Sequence, residues 1–246
     1  MINRKDFEHC QTFINRQLDP ARSTPPAGRR AVRPAVTISR QAGCGALVVA
    51  QKLATILQQD LSPDDPPWTV FDRNLMDKVL EDHNLPVRLA KFLPEDRMTE
   101  LQDITDELFG LRPASWTLIH HTSETILKLA ELGSVILIGR GANVITAKLP
   151  QVIHVRLVAP LEVRLKHCQT SYNMTETFAR DFCRKEDEGR RRYLKKYFQG
   201  NVDDPLLYHL TINTGHVSFD AAAQLIANTV RASVTRQERG VHAASG

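Results

Sequence analysis

Val36-Thr-Ile-Ser-Arg-Gln-Ala-Gly-Cys-Gly-Ala-Leu-Val-Val-Ala50 is the stretch that decides how this chain folds. It reads as a short apolar strand, a tight turn at Gly43 and Gly45, and an immediate switch to helical periodicity. Leu47, Ala50, Ala54 and Leu57 then recur on one helical face. A strand that runs through glycines into a helix N-terminus gathers free backbone N–H groups around one point, which is a seat for phosphate. A loop of the G-x-x-x-x-G-K-[ST] kind adds a lysine for the phosphates and a hydroxyl for magnesium. Here Ala46 stands at the lysine position, and Leu47 and Val48 supply no hydroxyl. The shape of a phosphate loop is present without its two chemical groups.

Working outward, 246 residues with 42% apolar content suffice for one sizeable core. The formal charge of +4 is a mild excess and does not by itself argue for nucleic acid. Neither an aromatic-rich groove nor a recognisable nucleic-acid module is present. Cys10, Cys44, Cys168 and Cys183 show no C-x-x-C pairing and no zinc-like spacing, a usage that fits a reducing cytoplasm. No apolar run approaches the roughly 20 residues that span a bilayer, so no membrane association is expected.

Along the chain, Phe7, Cys10, Ile14 and Leu18 predict a short amphipathic helix over 5–18. Residues 19–34 carry four prolines, a glycine and no periodicity, which reads as a linker or surface strap. Residues 1–34 are thus an arm, 35–235 the main domain and 236–246 a tail. Strands are expected near 36–39, 68–71, 134–138, 152–158 and 208–212. Between them lie a helical region over about 74–132 and a highly charged helix over 174–198, with Pro160 opening one helix and Phe219 another. Buried strands alternating with amphipathic helices predict an α/β fold: a doubly wound, five-stranded parallel sheet with helices on both faces.

Ligands in such folds bind beyond the carboxyl ends of the strands. Ser39-Arg40-Gln41, Asp72-Arg73, Gly139-Arg140 and Asn213-Thr214 fall there. Each alone reads equally well as a turn or cap; strand ends converge in space, so together they outline a site. Arg140, between two glycines after a buried strand, is suited to bidentate phosphate contact. Asp72 is suited to holding a substrate hydroxyl or a magnesium-bound water, and equally to capping a helix. In the charged helix, Glu186–Arg190, Asp187–Arg191 and Glu188–Arg192 are acid-before-base pairs four apart, the pattern of a solvated face. Arg180, Arg184 and Arg191 form a basic stripe, interrupted by Gly189, which is what a phosphoryl-transfer lid requires.

These residues carry a resemblance. Ile38-Ser-Arg-Gln-Ala-Gly-Cys-Gly45, Phe71-Asp72, Val135-Ile-Leu-Ile-Gly-Arg-Gly-Ala142, Val155-Arg-Leu-Val-Ala-Pro-Leu-Glu-Val-Arg164 and Lys185-x-Asp187-x-x-Arg190-x-x-Tyr193 follow in order, with Asp204-Pro205 and Ile212-Asn-Thr214 behind them. Over about residues 36–232 the chain resembles the cytidylate kinase-like family, a nucleoside monophosphate kinase branch of the P-loop kinases. The resemblance implies ATP with Mg2+ as phosphoryl donor and a nucleoside monophosphate such as CMP or dCMP as acceptor, with a helical lid over about 172–205. It implies that Arg140 binds the acceptor phosphate, that Lys185 and Arg190 close over the transferring group, and that Asp187 organises the lid. The resulting catalytic candidates are Arg40, Asp72, Lys185 and Arg190. The nucleotide- and phosphate-binding candidates are Ser39, Gly43, Cys44, Gly45, Ala46, Arg140, Asp187 and Asn213. No metal ligand is assigned.

The loop departs from the branch pattern at Ala46-Leu47-Val48, where Arg40 or a lid arginine is expected to supply the lost charge. A working kinase, a catalytically inactive nucleotide-binding relative and a protein-interaction scaffold all fit this sequence, which leaves the nucleobase and the oligomeric state open. For the arm, proline and arginine without apolar periodicity predict an extended strap. Native protein should be cut by trypsin at Arg22, Arg29 and Arg30; resistance there would show a docked strap.

Overall fold

A computed structural model of the chain describes residues 33–62, 65–72, 104 and 117–243. The helix expected over 5–18, the strap up to residue 32 and the helices expected between residues 74 and 116 lie outside the described residues. Five strands form one parallel sheet: β1 (Ala35–Arg40), β2 (Thr69–Phe71), β3 (Val135–Ile138), β4 (Val152–Val158) and β5 (Leu210–Asn213), in the order β2-β3-β1-β4-β5. The described helices are α1 (Ala46–Gln58), α2 (Thr117–Leu132), α3 (Ala142–Ile145), α4 (Leu161–Tyr172), α5 (Glu176–Phe198) and α6 (Phe219–Ala243). All five expected strands and their parallel pairing are present. Helix α6 continues past residue 235, where the domain was expected to end.

Alternation along each strand sends side chains to two faces. Ala35, Val135, Leu137 and Val152 pack with Phe71 against Ile126 and Leu129 of α2 and Ile145 of α3. Val36, Ile38, Ile136, Ile153, Val155 and Leu157 face Val49, Ala50 and Leu53 of α1, with Ala223 and Ile226 of α6 behind them. Both faces of the sheet are therefore covered, as the apolar strands β1 and β3 require. A smaller cluster of Ala42, Leu165, Cys168, Ala179 and Cys183 joins the loop after β1 to α4 and α5. Cys44, Cys168 and Cys183 are all free and buried thiols, and Cys10 lies outside the described residues.

Three local expectations shift. Pro160 caps α4 from one position before its first residue: its ψ of 144° is extended and its carbonyl accepts from Arg164 N at 3.2 Å. Gly189 does not break α5, which runs unbroken through it. Residues 33–34 are docked: Arg33 pairs with Asp65 at 3.2 Å and Pro34 O accepts from Ser134 N at 2.8 Å.

β4 carries two buried polar side chains on the α2 side of the sheet, His154 and Arg156. His154 Nδ1 bonds Thr37 Oγ1 at 2.8 Å, and its backbone N–H donates to His209 Nδ1 at 2.9 Å. Burial, with the His209 ring second, pushes the His154 imidazole down from 6.5 to about 4. The unfolded chain therefore takes up this proton first as pH falls. The stabilisation is complete above about pH 6.5 and is lost between there and pH 4. Urea unfolding should register a loss of about 3 kcal/mol across that window, and His154→Gln should flatten the slope.

Candidate functional site

The loop that follows β1 is fixed on every side. Gln41 N donates to Leu157 O at 3.0 Å, Gln41 Oε1 accepts from Ala159 N at 3.0 Å, and Thr214 Oγ1 donates to Cys44 O at 3.0 Å. Gly43 and Gly45 both have left-handed φ, +80° and +77°. A Cβ at Gly43 would stand 2.7 Å from Arg164 O, and one at Gly45 would overlap the Phe219 ring. The two glycines thus seat against the chain's own α4 and α6. Burial pushes the Cys44 thiol up to about 11, so it is a neutral packing group that donates to Gln41 O at 3.0 Å.

One carboxylate ties this loop to the charged helix. Asp187 Oδ1 accepts from Ala42 N at 2.7 Å, and Asp187 Oδ2 accepts from Arg164 Nη1 at 2.7 Å. Arg190 Nη1 donates to Asp187 Oδ1 at 3.1 Å, and Arg190 Nη2 to Glu186 at 2.8 Å. Arg164 is itself buried and also donates to the carbonyls of Ala159 and Ala42. The pairing expected from spacing therefore changes: Asp187 turns inward to Arg164 and Arg190. Arg191 pairs instead with Asp203 at 3.2 Å, and Glu188 with Arg184 at 3.7 Å. Glu186–Arg190 keeps its expected partner.

Beyond β3, Gly139, Arg140 and Gly141 are three consecutive left-handed residues, with φ of 85°, 56° and 72°. The flanking glycines are required by what lies against them. A Cβ at Gly139 would overlap the Arg40 guanidinium, and one at Gly141 would stand 2.7 Å from the Phe198 ring at the end of α5. Arg40 thus lies across the β3 loop, and α5 rests on it. Tyr193 donates to Arg140 O at 3.5 Å, and burial pushes its phenol up to about 12, so it keeps its proton.

Between the end of β1, the loop after β3 and α5 is a cavity of about 230 Å3. Thr37, Ser39 and Arg40 line it from β1, and residues 139–143 from the β3 end. Lys185, Glu186, Gly189, Arg190 and Tyr193 line it from α5. A Cβ at Gly189 would meet nothing within 4 Å, so α5 presents bare backbone there. Alongside is a cleft of about 10 Å3, room for one water, lined by Arg40, Arg156, Asp187, Arg190 and Arg191. Arg156 is held there by Ser39 at 3.0 Å and Asp203 at 2.6 Å.

The structure brings Ser39, Arg40, Arg140, Lys185 and Arg190 to the cavity and Asp187 to the cleft beside it. Gly43, Cys44, Gly45, Ala46, Asp72 and Asn213 line neither. Asp72 sits at the end of β2, separated from β1 by β3, and Asn213 Oδ1 accepts from Gly215 N at 2.9 Å in a turn. Arg156, Arg164 and Tyr193 fell within the motifs that carry the resemblance but were given no role from sequence, and Asn143 was not singled out. A charged residue inside an apolar strand was the available signal for Arg156. Nothing local in sequence marks Arg164 as the partner of a carboxylate 23 residues away.

A parallel sheet in this order, with an arginine loop at the carboxyl ends of its central strands and a charged helix above them, is a kinase-like arrangement. The chain belongs to the cytidylate kinase-like family, whose model matches residues 35–216. Among solved structures it is similar to an uncharacterized protein from Eubacterium ventriosum, with a TM-score of 0.56 and 20% identity over 81% of this chain and 99% of that one. It is also similar to shikimate kinase from Bacteroides thetaiotaomicron, with a TM-score of 0.39 and 12% identity over 85% and 98% of the two chains. A stretch of 94 residues is 25% identical to uronate isomerase of Corynebacterium glutamicum. That match covers 38% of this chain and 18% of the isomerase, too little to carry a fold or an activity across.

Removing Asp187 strands the buried Arg164 guanidinium. Asp187→Ala should therefore lower unfolding stability by about 3 kcal/mol or more. Arg190→Ala, which removes a more exposed partner, should cost about 1 kcal/mol or less. Urea titration of the two variants checks the ordering.

Proposed function

We propose that this protein is a nucleoside monophosphate kinase-like enzyme that transfers the γ-phosphoryl group of ATP to CMP, dCMP or a similar monophosphate. The observation that carries the reading is the meeting of Arg40, Arg140, Lys185 and Arg190 around one cavity at the ends of β1 and β3. Phosphoryl transfer needs positioning and neutralisation of spreading negative charge more than covalent chemistry. Arg140 holds the acceptor phosphate, its backbone fixed by the left-handed run and by Tyr193. Lys185 and Arg190 meet the transferring group from α5. Arg40, lying across Gly139, supplies the cation that Ala46 does not, and Ser39 holds Arg156 in the adjoining cleft. Asp187 fixes the lid helix to the loop shaped by Gly43 and Gly45, with Cys44 and Ala46 as its packed wall. Asp72 and Asn213 stand further off, at the ends of β2 and β5.

ATP with Mg2+ is the donor that family membership supports. The loop side chains do not fit the metal, since Leu47 stands where a hydroxyl ligand would be. No cluster of three His, Cys, Asp or Glu side chains able to hold a metal occurs among the described residues. Charge neutralisation in this reading rests on the guanidinium and ammonium groups. No helix among the described residues is long and apolar enough to cross a membrane. A cytoplasmic setting accords with the three free buried thiols.

A second reading, nucleotide binding without turnover, is favoured by the hydrogen bond of Asp187 on Ala42 N, which occupies a donor of the loop with an internal anion. A coupled phosphotransfer assay with ATP, magnesium and each common monophosphate separates the two. Turnover that is lost in Arg190→Ala supports the kinase, and binding without turnover supports the second reading. Arg140→Ala should weaken monophosphate binding by roughly tenfold to a hundredfold, the worth of a charged hydrogen bond. Calorimetry showing unchanged affinity would remove Arg140 from the site.

A further inference from the structure

Asn143 follows the Gly139–Gly141 run by two residues, on the short helix α3 packed against β1. It is 7% exposed, lines the 230 Å3 cavity, and its Nδ2 is buried without any hydrogen-bond partner. The cavity also has a buried apolar lining: Ile38, Ala142, Leu194 and Val202 are each under 10% exposed. Among the neutral hydroxyls of the lining, Thr37 Oγ1 bonds His154 and Ser39 Oγ accepts from Arg156 and Tyr208. Lys185, by contrast, is exposed and marks the mouth. The cavity thus combines charged and buried apolar lining, and Asn143 on its wall carries an unmatched amide donor. A buried amide N–H without a partner is unfavourable unless something that enters the cavity accepts its hydrogen bond.

We infer that Asn143 is a specificity-determining residue: its Nδ2 donates to a carbonyl oxygen or ring nitrogen on the uncharged heterocycle of the ligand whose phosphate Arg140 holds. This rests on the monophosphate reading of the cavity and adds which group distinguishes a nucleotide from a bare sugar phosphate. Arg140 and Asn143 are three residues apart on one rigid loop-and-helix unit, so a single small molecule meets both. Tyr193, lining the same cavity, offers a ring face against which a planar heterocycle stacks.

The test is calorimetric binding of CMP, UMP, AMP, GMP and ribose 5-phosphate to the full chain and to Asn143→Leu. The wild type should bind at least one nucleotide more tightly than ribose 5-phosphate. Asn143→Leu should reduce that nucleotide's affinity tenfold or more while leaving ribose 5-phosphate affinity within twofold. If Asn143→Leu does not fold, Asn143→Ala, which removes the donor without adding a charge, should give the same selective loss. Equal losses for nucleotide and sugar phosphate, no loss for either, or a wild type without preference between them would each overturn the role of Asn143 while leaving the monophosphate site standing. A wild type that binds none of the five would overturn both.

Discussion

The carboxylate of Asp187 is where the parts of this molecule are joined. It accepts from the backbone of the loop after β1, from the buried guanidinium of Arg164 on α4 and from Arg190 on its own helix. A buried carboxylate in that setting is stable only with all its partners in place, so the three elements are held in one relative arrangement. The cavity depends on that arrangement, because two of its walls, the end of β1 and the inward face of α5, are the elements being joined. Arg40 adds a second join, since its guanidinium occupies the space left by the absent side chain of Gly139 and so sets the distance between the β1 and β3 loops.

The positive charge of the site is distributed differently from what a phosphate loop with a lysine would do. Here the loop itself is electrostatically quiet: Ala46 and Val48 carry no charge or hydroxyl, its thiol is protonated, and its glycines face protein. The cations stand opposite, at the ends of β1 and β3 and along α5. Several of them are partnered by Glu186, Asp187 or Asp203. An incoming phosphate therefore competes with internal carboxylates for donors already oriented, rather than entering an empty field of positive charge.

Much of the fold was legible because it rests on patterns that local sequence carries. The unbroken apolar runs of β1 and β3, the glycines that follow them and the amphipathic helices between were enough for the parallel sheet. β4 was read as a strand, but its buried His154 and Arg156 have partners on β1, β5 and the segment near Asp203, and a spacing rule does not see across strands. Arg140 was legible for the same reason as the sheet, since a charged residue between glycines at a strand end is a local signal. The partner of Asp187 was not: helical spacing offered Arg191, and only the packing of α5 against α4 turns the carboxylate inward to Arg164. Gly139 and Gly141 were legible as turn residues, whereas their use as seats for Arg40 and Phe198 depends on side chains far away in sequence.

Gly189 shows a conflict between the helix and the space beside it. Considered as a helix, α5 would gain about 1 kcal/mol from alanine at that position, and no neighbouring atom stands within 4 Å to forbid it. The protein's own packing therefore gives no reason for the glycine. What a methyl group there would enter is the open volume of the cavity. The helix thus forgoes stability to keep one stretch of its inner surface flat, and the width of the chamber at that level is set by an atom that is missing.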